Sequence, residues 1–280
     1  KEVLATLIGA TSKFIEKMAD LEVRIVLAGG ETADVGDIVR TADVGFTAFG
    51  RLKRKDLVIN KIRSGQVIIG FESYGQSTYE TEYNSGIGSN GLTMARHELF
   101  HHDYADKYEE TYAPQIDRKY VYTGKFKVDD NVIIGGRNHP IGKLALSPTR
   151  TYLPVLNEIL KNHKESIHGI IHATGGGHTK VLKYCDAPVH IIKDNLFEVP
   201  PIFDIIQKST DTSLTEMYKV FNMGTRLELY VDAEAAASII EISARFNIRA
   251  QVIGRVEGSK DNSMSVTVIT NTETLVYQEK

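Results

Sequence analysis

From residue 66 onward, segments with strand periodicity alternate with segments of helical periodicity, and that alternation restricts the chain to a layered α/β arrangement with helices covering a sheet. Strand patterns are predicted at 66–71, 120–123, 167–173, 188–193, 226–231, 248–256 and 264–270. Helix patterns are predicted at 91–101, 148–161, 178–185, 202–208, 214–221 and 233–246. Ahead of them, Leu4, Leu7, Ile8, Phe14, Ile15 and Met18 form one apolar stripe of a helix over 2–20, followed by short strands at 23–27 and 44–49. The polar run from Asn60 to Gly65 is read as a boundary between an N-terminal unit, 1–62, and a larger C-terminal domain, 63–280. A length of 280 residues fits about two domains.

Composition removes several classes of function. Lys and Arg total 33 against 36 Asp and Glu, a net charge of −3, so no positive field recruits nucleic acid or an acidic membrane. Cys185 is the single cysteine, which excludes an internal disulfide or a cysteine-based zinc site and points to a reducing cytoplasm. No apolar run approaches the roughly 20 residues of a membrane span, and the first residues lack a signal-peptide pattern. The chain does not begin with Met, which leads us to expect that it starts inside a longer protein. The basic stretch 51–55 is read as a solvated strand end.

Several motifs invite chemistry. Gly86-Ile87-Gly88-Ser89-Asn90-Gly91 fits the dinucleotide fingerprint literally, yet a dozen polar residues separate it from the preceding strand and no acid follows at a strand end. What remains is local: Ser89 or Asn90 is expected to cap the next helix, whose free N–H groups suit an anion. His97-Glu98-Leu99-Phe100-His101 is a literal zinc-protease helix motif, but it runs into a charged loop without a further ligand motif, and a solvated helix end is the expected reading. Thr174-Gly175-Gly176-Gly177 sits at a strand-to-helix turn, where glycine lets backbone N–H groups approach an anionic ligand. Gly29-Gly30-Glu31-Thr32 places a carboxylate past a strand, suited to Mg²⁺ or a nucleotide, or merely solvated. Asn222 and Gly224 alone mark a helix C-terminus, and Ser147-Pro148 and Pro200-Pro201 mark helix starts. The polar, Tyr-rich stretches 74–89 and 101–140 read as surface excursions.

In their order along the chain, Gly29-Gly30-Glu31-Thr32-Ala33, Ser89-Asn90-Gly91, Ser147-Pro148-Thr149-Arg150-Thr151-Tyr152, Thr174-Gly175-Gly176-Gly177, Phe221-Asn222-Met223-Gly224 and Ile253-Gly254 resemble the phosphoribosylformylglycinamidine cyclo-ligases. The resemblance covers nearly the whole chain. It implies ATP-dependent closure of formylglycinamidine ribonucleotide to aminoimidazole ribonucleotide in purine biosynthesis, with ATP and Mg²⁺ as cofactors, in a cytoplasmic homodimer. Glu31 would then serve catalysis and the metal, with Gly29, Gly30 and Thr32 beside the nucleotide. Ser89, Asn90 and Gly91, with Thr174, Gly175, Gly176 and Gly177, would line the substrate side, Asn90 in a catalytic role; Asn222 and Gly224 would shape the wall. Alternatives are a sibling ATP-using enzyme of the same superfamily, or a non-catalytic module that binds phosphate esters or dimerises.

Three departures accompany the resemblance. Gly88 replaces the His that usually precedes Ser-Asn-Gly, residues 34–37 differ from the common pattern, and the two excursions are longer. The family's phosphate- and metal-binding front is not found, so residues 1–62 would be the remainder of an N-terminal half-barrel that closes a dimer. The 280-residue chain alone is expected to be nearly inactive.

Overall fold

The computed structural model describes residues 2–89, 91–185 and 187–278. Helix α1 spans Glu2–Asp20, strand β1 Val67–Glu72, α2 Leu92–Leu99 and α3 Asp103–Lys107. A small hairpin, β2 (Asn131–Ile134) and β3 (Arg137–Pro140), is followed by α4 (Ile141–Ala145), α5 (Leu153–His163) and β4 (Ile167–His172). Then come β5 (Val189–Lys193), α6 (Pro201–Thr210), α7 (Leu214–Val220), β6 (Thr225–Val231), α8 (Ala236–Arg245), β7 (Ala250–Gly258), β8 (Ser265–Ile269) and β9 (Thr274–Gln278).

Seven strands form one sheet in the order β4-β6-β1-β7-β5-β8-β9, antiparallel except for the parallel pair β5–β8. Alternation along each strand sends side chains to two cores. Ile68, Tyr230, Ile253 and Val266 pack with Leu99, Phe203 and Met217 beneath α2, α6 and α7. Ile69, Phe71, Leu227 and Leu229 pack with Val155, Ile159 and Ile239 beneath α5 and α8. The result is the layered α/β sandwich that the alternating periods require.

The front of the chain departs from expectation. The strands expected at 23–27 and 44–49 are absent: residues 23–53 contain no regular secondary structure, and Val26, Phe46 and Phe49 are 71%, 73% and 87% exposed. An extended segment becomes a strand only when a neighbour takes its backbone N–H and C=O groups, and nothing among the described residues does so here. Helix α1 forms, but of its apolar stripe only Met18 is fully buried, against the second core. Residues 60–62 run along the outer edge of β4, where Lys61 N–H donates to His168 O and Asn60 Oδ1 accepts from Ile170 N–H.

Other boundaries also moved. The helix expected from 148 starts at Leu153, because Arg150 and Tyr152 reach back to the end of β1 and hold 147–152 outside the helix. The segment 178–185 forms a 3-10 helix over Gly177–Lys183, and the strand expected at 120–123 is replaced by a 3-10 turn at Arg118–Tyr120. Gly135 and Gly136, both at positive φ, close the β2–β3 hairpin that the periodicity did not reveal.

Candidate functional site

Antiparallel pairing brings distant turns to one end of the sheet. Glu72, the last residue of β1, pairs with Thr225, the first of β6; His172, the last of β4, pairs with Leu227; Phe71 pairs with Ala250 at the start of β7. Residues 73–89, 173–177 and 222–224 therefore leave or enter the sheet side by side, and the bonds of Arg150 and Tyr152 to Glu72 O bring 147–152 to the same end. Ile253-Gly254 does not join them, since it lies within β7.

Buried side chains tie these turns together. The Asn222 Nδ2 group donates to Gly86 O at 2.8 Å, and its Oδ1 accepts from Gly224 N–H at 3.1 Å. Arg226, 2% exposed, donates to Gly86 O at 2.8 Å, Ile87 O at 3.0 Å and Ala173 O at 3.3 Å. Gly91 and Gly177 press on Phe221 from different directions: a Cβ on Gly91 would lie 2.5 Å from its ring, and one on Gly177 would strike its carbonyl. Gly88, at φ +60°, backs onto the Arg226 guanidinium, and a Cβ there would lie 2.9 Å from Cζ. No side chain at 88 fits while Arg226 holds this place.

The outer rim of this end is polar. Ser89 is exposed, and its N–H donates to Thr149 Oγ1 at 3.3 Å. The Thr174 hydroxyl accepts from Lys180 Nζ, beside the exposed Gly175. The His172 imidazole is held down at about 4, first by desolvation and then by the Arg226 and Lys180 cations. Thr149 also borders a cleft of about 450 Å³ between the last turn of α1, with Phe14, Lys17 and Met18, and the loop carrying Tyr83 and Asn84. A hydroxyl-lined rim, glycine turns and unpaired positive charge together suit an anionic group such as a phosphate.

A second polar assembly supports the rim from below. Arg150, with no exposed side-chain surface, makes a two-pronged bond to Glu80 at 3.0 and 2.8 Å and donates to Glu72 O at 3.1 Å. The Tyr152 hydroxyl donates to the same carbonyl. Burial pushes the Glu72 carboxyl up to about 7, against the opposing pull of Arg150 and Arg249. Its folded value exceeds 4.5, so its contribution to stability is complete below pH 4.5 and disappears as pH rises through about 7. Glu72→Gln is therefore expected to lessen the fall in urea midpoint between pH 5 and pH 8; an unchanged fall would show that Glu72 does not titrate with folding.

The sequence-derived residues divide accordingly. Ser89, Gly91, Thr174, Gly175, Gly176, Gly177, Asn222 and Gly224 meet at this end, but Gly177, Asn222 and Gly224 are buried and shape turns without reaching the surface. Asn90 lies outside the described residues. Ser89 does not supply the expected side-chain cap of α2: the capping position is Gly91, at φ +71°. Gly29, Gly30, Glu31 and Thr32 are exposed and stand apart from the rim's bonds, and a Cβ on Gly29 or Gly30 would meet nothing within 4 Å. Among the described residues no three His, Cys, Asp or Glu side chains are placed to hold a metal. The described residues therefore do not by themselves assemble a site of three such ligands for Mg²⁺. His97 and His101 do not share a helix face, because α2 ends at Leu99 and Phe100 is extended; His97 Nδ1 instead accepts from Tyr122 N–H. Glu80, Lys180 and Arg226 were missed. Lys180 lay three residues past the triple glycine, and Arg226 with Glu228 alternated with Leu227 and Leu229 in a strand that had to be buried.

Residues 63–267 match the family model described as AIR synthase related protein, C-terminal domain. The chain belongs to that family. The matched span holds β1 through most of β8 and every turn of the rim, and α1 precedes it. Among curated relatives of this AIR synthase-related domain, the phosphoribosylformylglycinamidine cyclo-ligase of Methanocaldococcus jannaschii is 32% identical over 239 residues, covering 85% of this chain and 58% of that protein. The enzyme of the same name from Methanococcus vannielii is 34% identical over 237 residues, covering 84% and 57%. The chain thus spans a little over half the length of these relatives. A solved structure of phosphoribosylformylglycinamidine synthase II from Thermotoga maritima is 13% identical, with a TM-score of 0.42, covering 81% of this chain and 27% of that one. Among the described residues, no helix is long and apolar enough to cross a membrane.

Proposed function

We propose that this chain provides the ribonucleotide-binding part of an ATP-dependent cyclo-ligase that closes formylglycinamidine ribonucleotide to aminoimidazole ribonucleotide. The observation that carries this reading is the meeting of residues 86–89, 173–177 and 222–224, far apart in sequence, at one sheet end around a polar rim. Both relatives named above are cyclo-ligases. In this reading residues 63–280 form the substrate domain, and residues 1–62 belong to a nucleotide-binding and dimerising unit that carries Glu31.

The chemistry asks mainly for positioning. ATP phosphorylates the formyl oxygen, the amidine nitrogen attacks that carbon, and phosphate leaves as the ring closes. Ser89, Thr149, Thr174 and Lys180 hold the ribonucleotide's phosphate ester, while Gly175 and Gly176 allow backbone N–H groups to approach it. Asn222 and Arg226 keep the two loops in register. Glu31 is assigned to the nucleotide and its Mg²⁺ by resemblance.

The test is calorimetric titration of the 280-residue chain with formylglycinamidine ribonucleotide. Binding is expected, weakened about tenfold in Thr174→Val, which removes a hydroxyl partner and leaves Lys180 unpaired. Absence of binding by the unaltered chain would overturn the assignment. ADP release with the ribonucleotide present would exclude binding without catalysis.

A further inference from the structure

Among the described residues, Arg226 is a buried cation without a carboxylate partner. Its guanidinium donates only to the carbonyls of Gly86, Ile87 and Ala173, and no ion pair to it forms among the described residues. By contrast, the neighbouring charges on the same side of the sheet are neutralised internally: Lys193 pairs with Glu228 at 2.5 Å, and Tyr230 donates to the other Glu228 oxygen at 2.9 Å. Burying an unpaired charge is expensive, and sequences keep one where something outside the chain completes it. Two of the carbonyls that Arg226 holds belong to the two residues before Gly88, and the third immediately precedes Thr174. The backbone of Arg226 also accepts from Ala173 N–H at 2.7 Å, so the strand and the guanidinium grip the end of β4 together.

We infer that Arg226 is a positioning residue, clasping the 86–88 turn to the end of β4 and directing its uncompensated charge at a phosphate monoester on the rim of Ser89, Thr149 and Thr174. This rests on the proposed ribonucleotide reading and adds the residue that sets the rim's spacing and field. Gly88 is the clasp's counterpart. A methyl group there must displace the guanidinium, which is fully packed and bonded three times, so the displacement breaks the bonds to Gly86 and Ile87.

Two measurements test it. The first needs no ligand: Gly88→Ala is expected to lower stability in urea unfolding substantially, and much less when Arg226 is already Ala. Equal losses in the two backgrounds would overturn the clasp, because strain at φ +60° alone is the same in both. The second titrates ribose 5-phosphate, with ribose as the neutral control, into wild-type protein, Arg226→Lys and Arg226→Met. Wild type is expected to bind the phosphate ester and not ribose, and Arg226→Met to bind it at least about tenfold more weakly. The affinity of Arg226→Met is also expected to depend less on salt, whereas Arg226→Lys keeps the salt dependence with reduced affinity. Wild-type affinity in Arg226→Met would overturn the assignment, and weaker binding with unchanged salt dependence would overturn the charge's role. Failure of wild type to bind would instead sink the phosphate-ester reading of the rim, and the charge's role with it, while the Gly88 comparison still judges the clasp.

Discussion

Arg150→Met is expected to destabilise the protein by about 3–5 kcal/mol, the range for removing one partner of a buried ion pair. Arg150 has no exposed side-chain surface, and its partner Glu80 keeps 17%. With Met at 150, the Glu80 carboxylate retains only Ser77 N–H and Asn84 Nδ2, and Glu72 O loses one of its two side-chain donors. The arrangement joins 77–84, 147–152 and the end of β1, so its loss is expected to loosen the floor of the rim as well as the fold. Burial opposes ionisation of Glu80, but the bonds and charge of Arg150 prevail and hold its carboxyl below 4.5. The pair's contribution is therefore present above pH 4.5 and lost as pH falls through the depressed value. Urea unfolding of wild type and Arg150→Met at pH 7 and pH 3 checks both points. The difference between them is expected to shrink at pH 3, and a loss below 1 kcal/mol at pH 7 would contradict a tightly coupled pair.

Gly177→Ala is expected to cost about 3 kcal/mol and abolish ribonucleotide binding. The residue sits at φ +46°, where a side chain adds about 1–2 kcal/mol of backbone strain. Its Cβ would also lie 2.5 Å from Tyr218 O and against Phe221 O, which adds about 1–3 kcal/mol of overpacking. Neither carbonyl moves freely, because Phe221 is 1% exposed, stacks on Phe203 at 5.3 Å and receives Gly91 on its ring. Gly30→Ala provides the control. A Cβ there meets nothing within 4 Å, and its effect is expected to stay within about 0.5 kcal/mol. Thermal unfolding and calorimetry of both variants decide the matter; a Gly177→Ala protein that binds as wild type would remove the 174–177 turn from the site.

Much of the domain was readable from local pattern. The apolar run 66–71 and the run 226–231 identify strands, each face of this sheet meeting a different core. Pro201 in the first turn of α6 marked a helix start through local chemistry. The same reasoning failed for 23–27 and 44–49, whose β-branched and aromatic residues meet strand propensity but find no pairing partner. It also failed at 147–152, where a long-range bond from Arg150 to Glu80 outweighs the helix start suggested by Ser147-Pro148.

For the site, the residues announced themselves individually as glycine turns, since φ and steric room are properties a short stretch can encode. Their meeting depended on strand order: β6 lies between β4 and β1 although about 50 and about 150 residues separate it from them, and local periodicity carries no information about pairing partners. The same folding step turned Arg226 from an ordinary charge into the clasp of two loops, because its environment exists only after β4 and the 86–88 turn arrive beside it. It also left Glu31 outside the rim, since the segment that carries it makes no sheet that would bring it there.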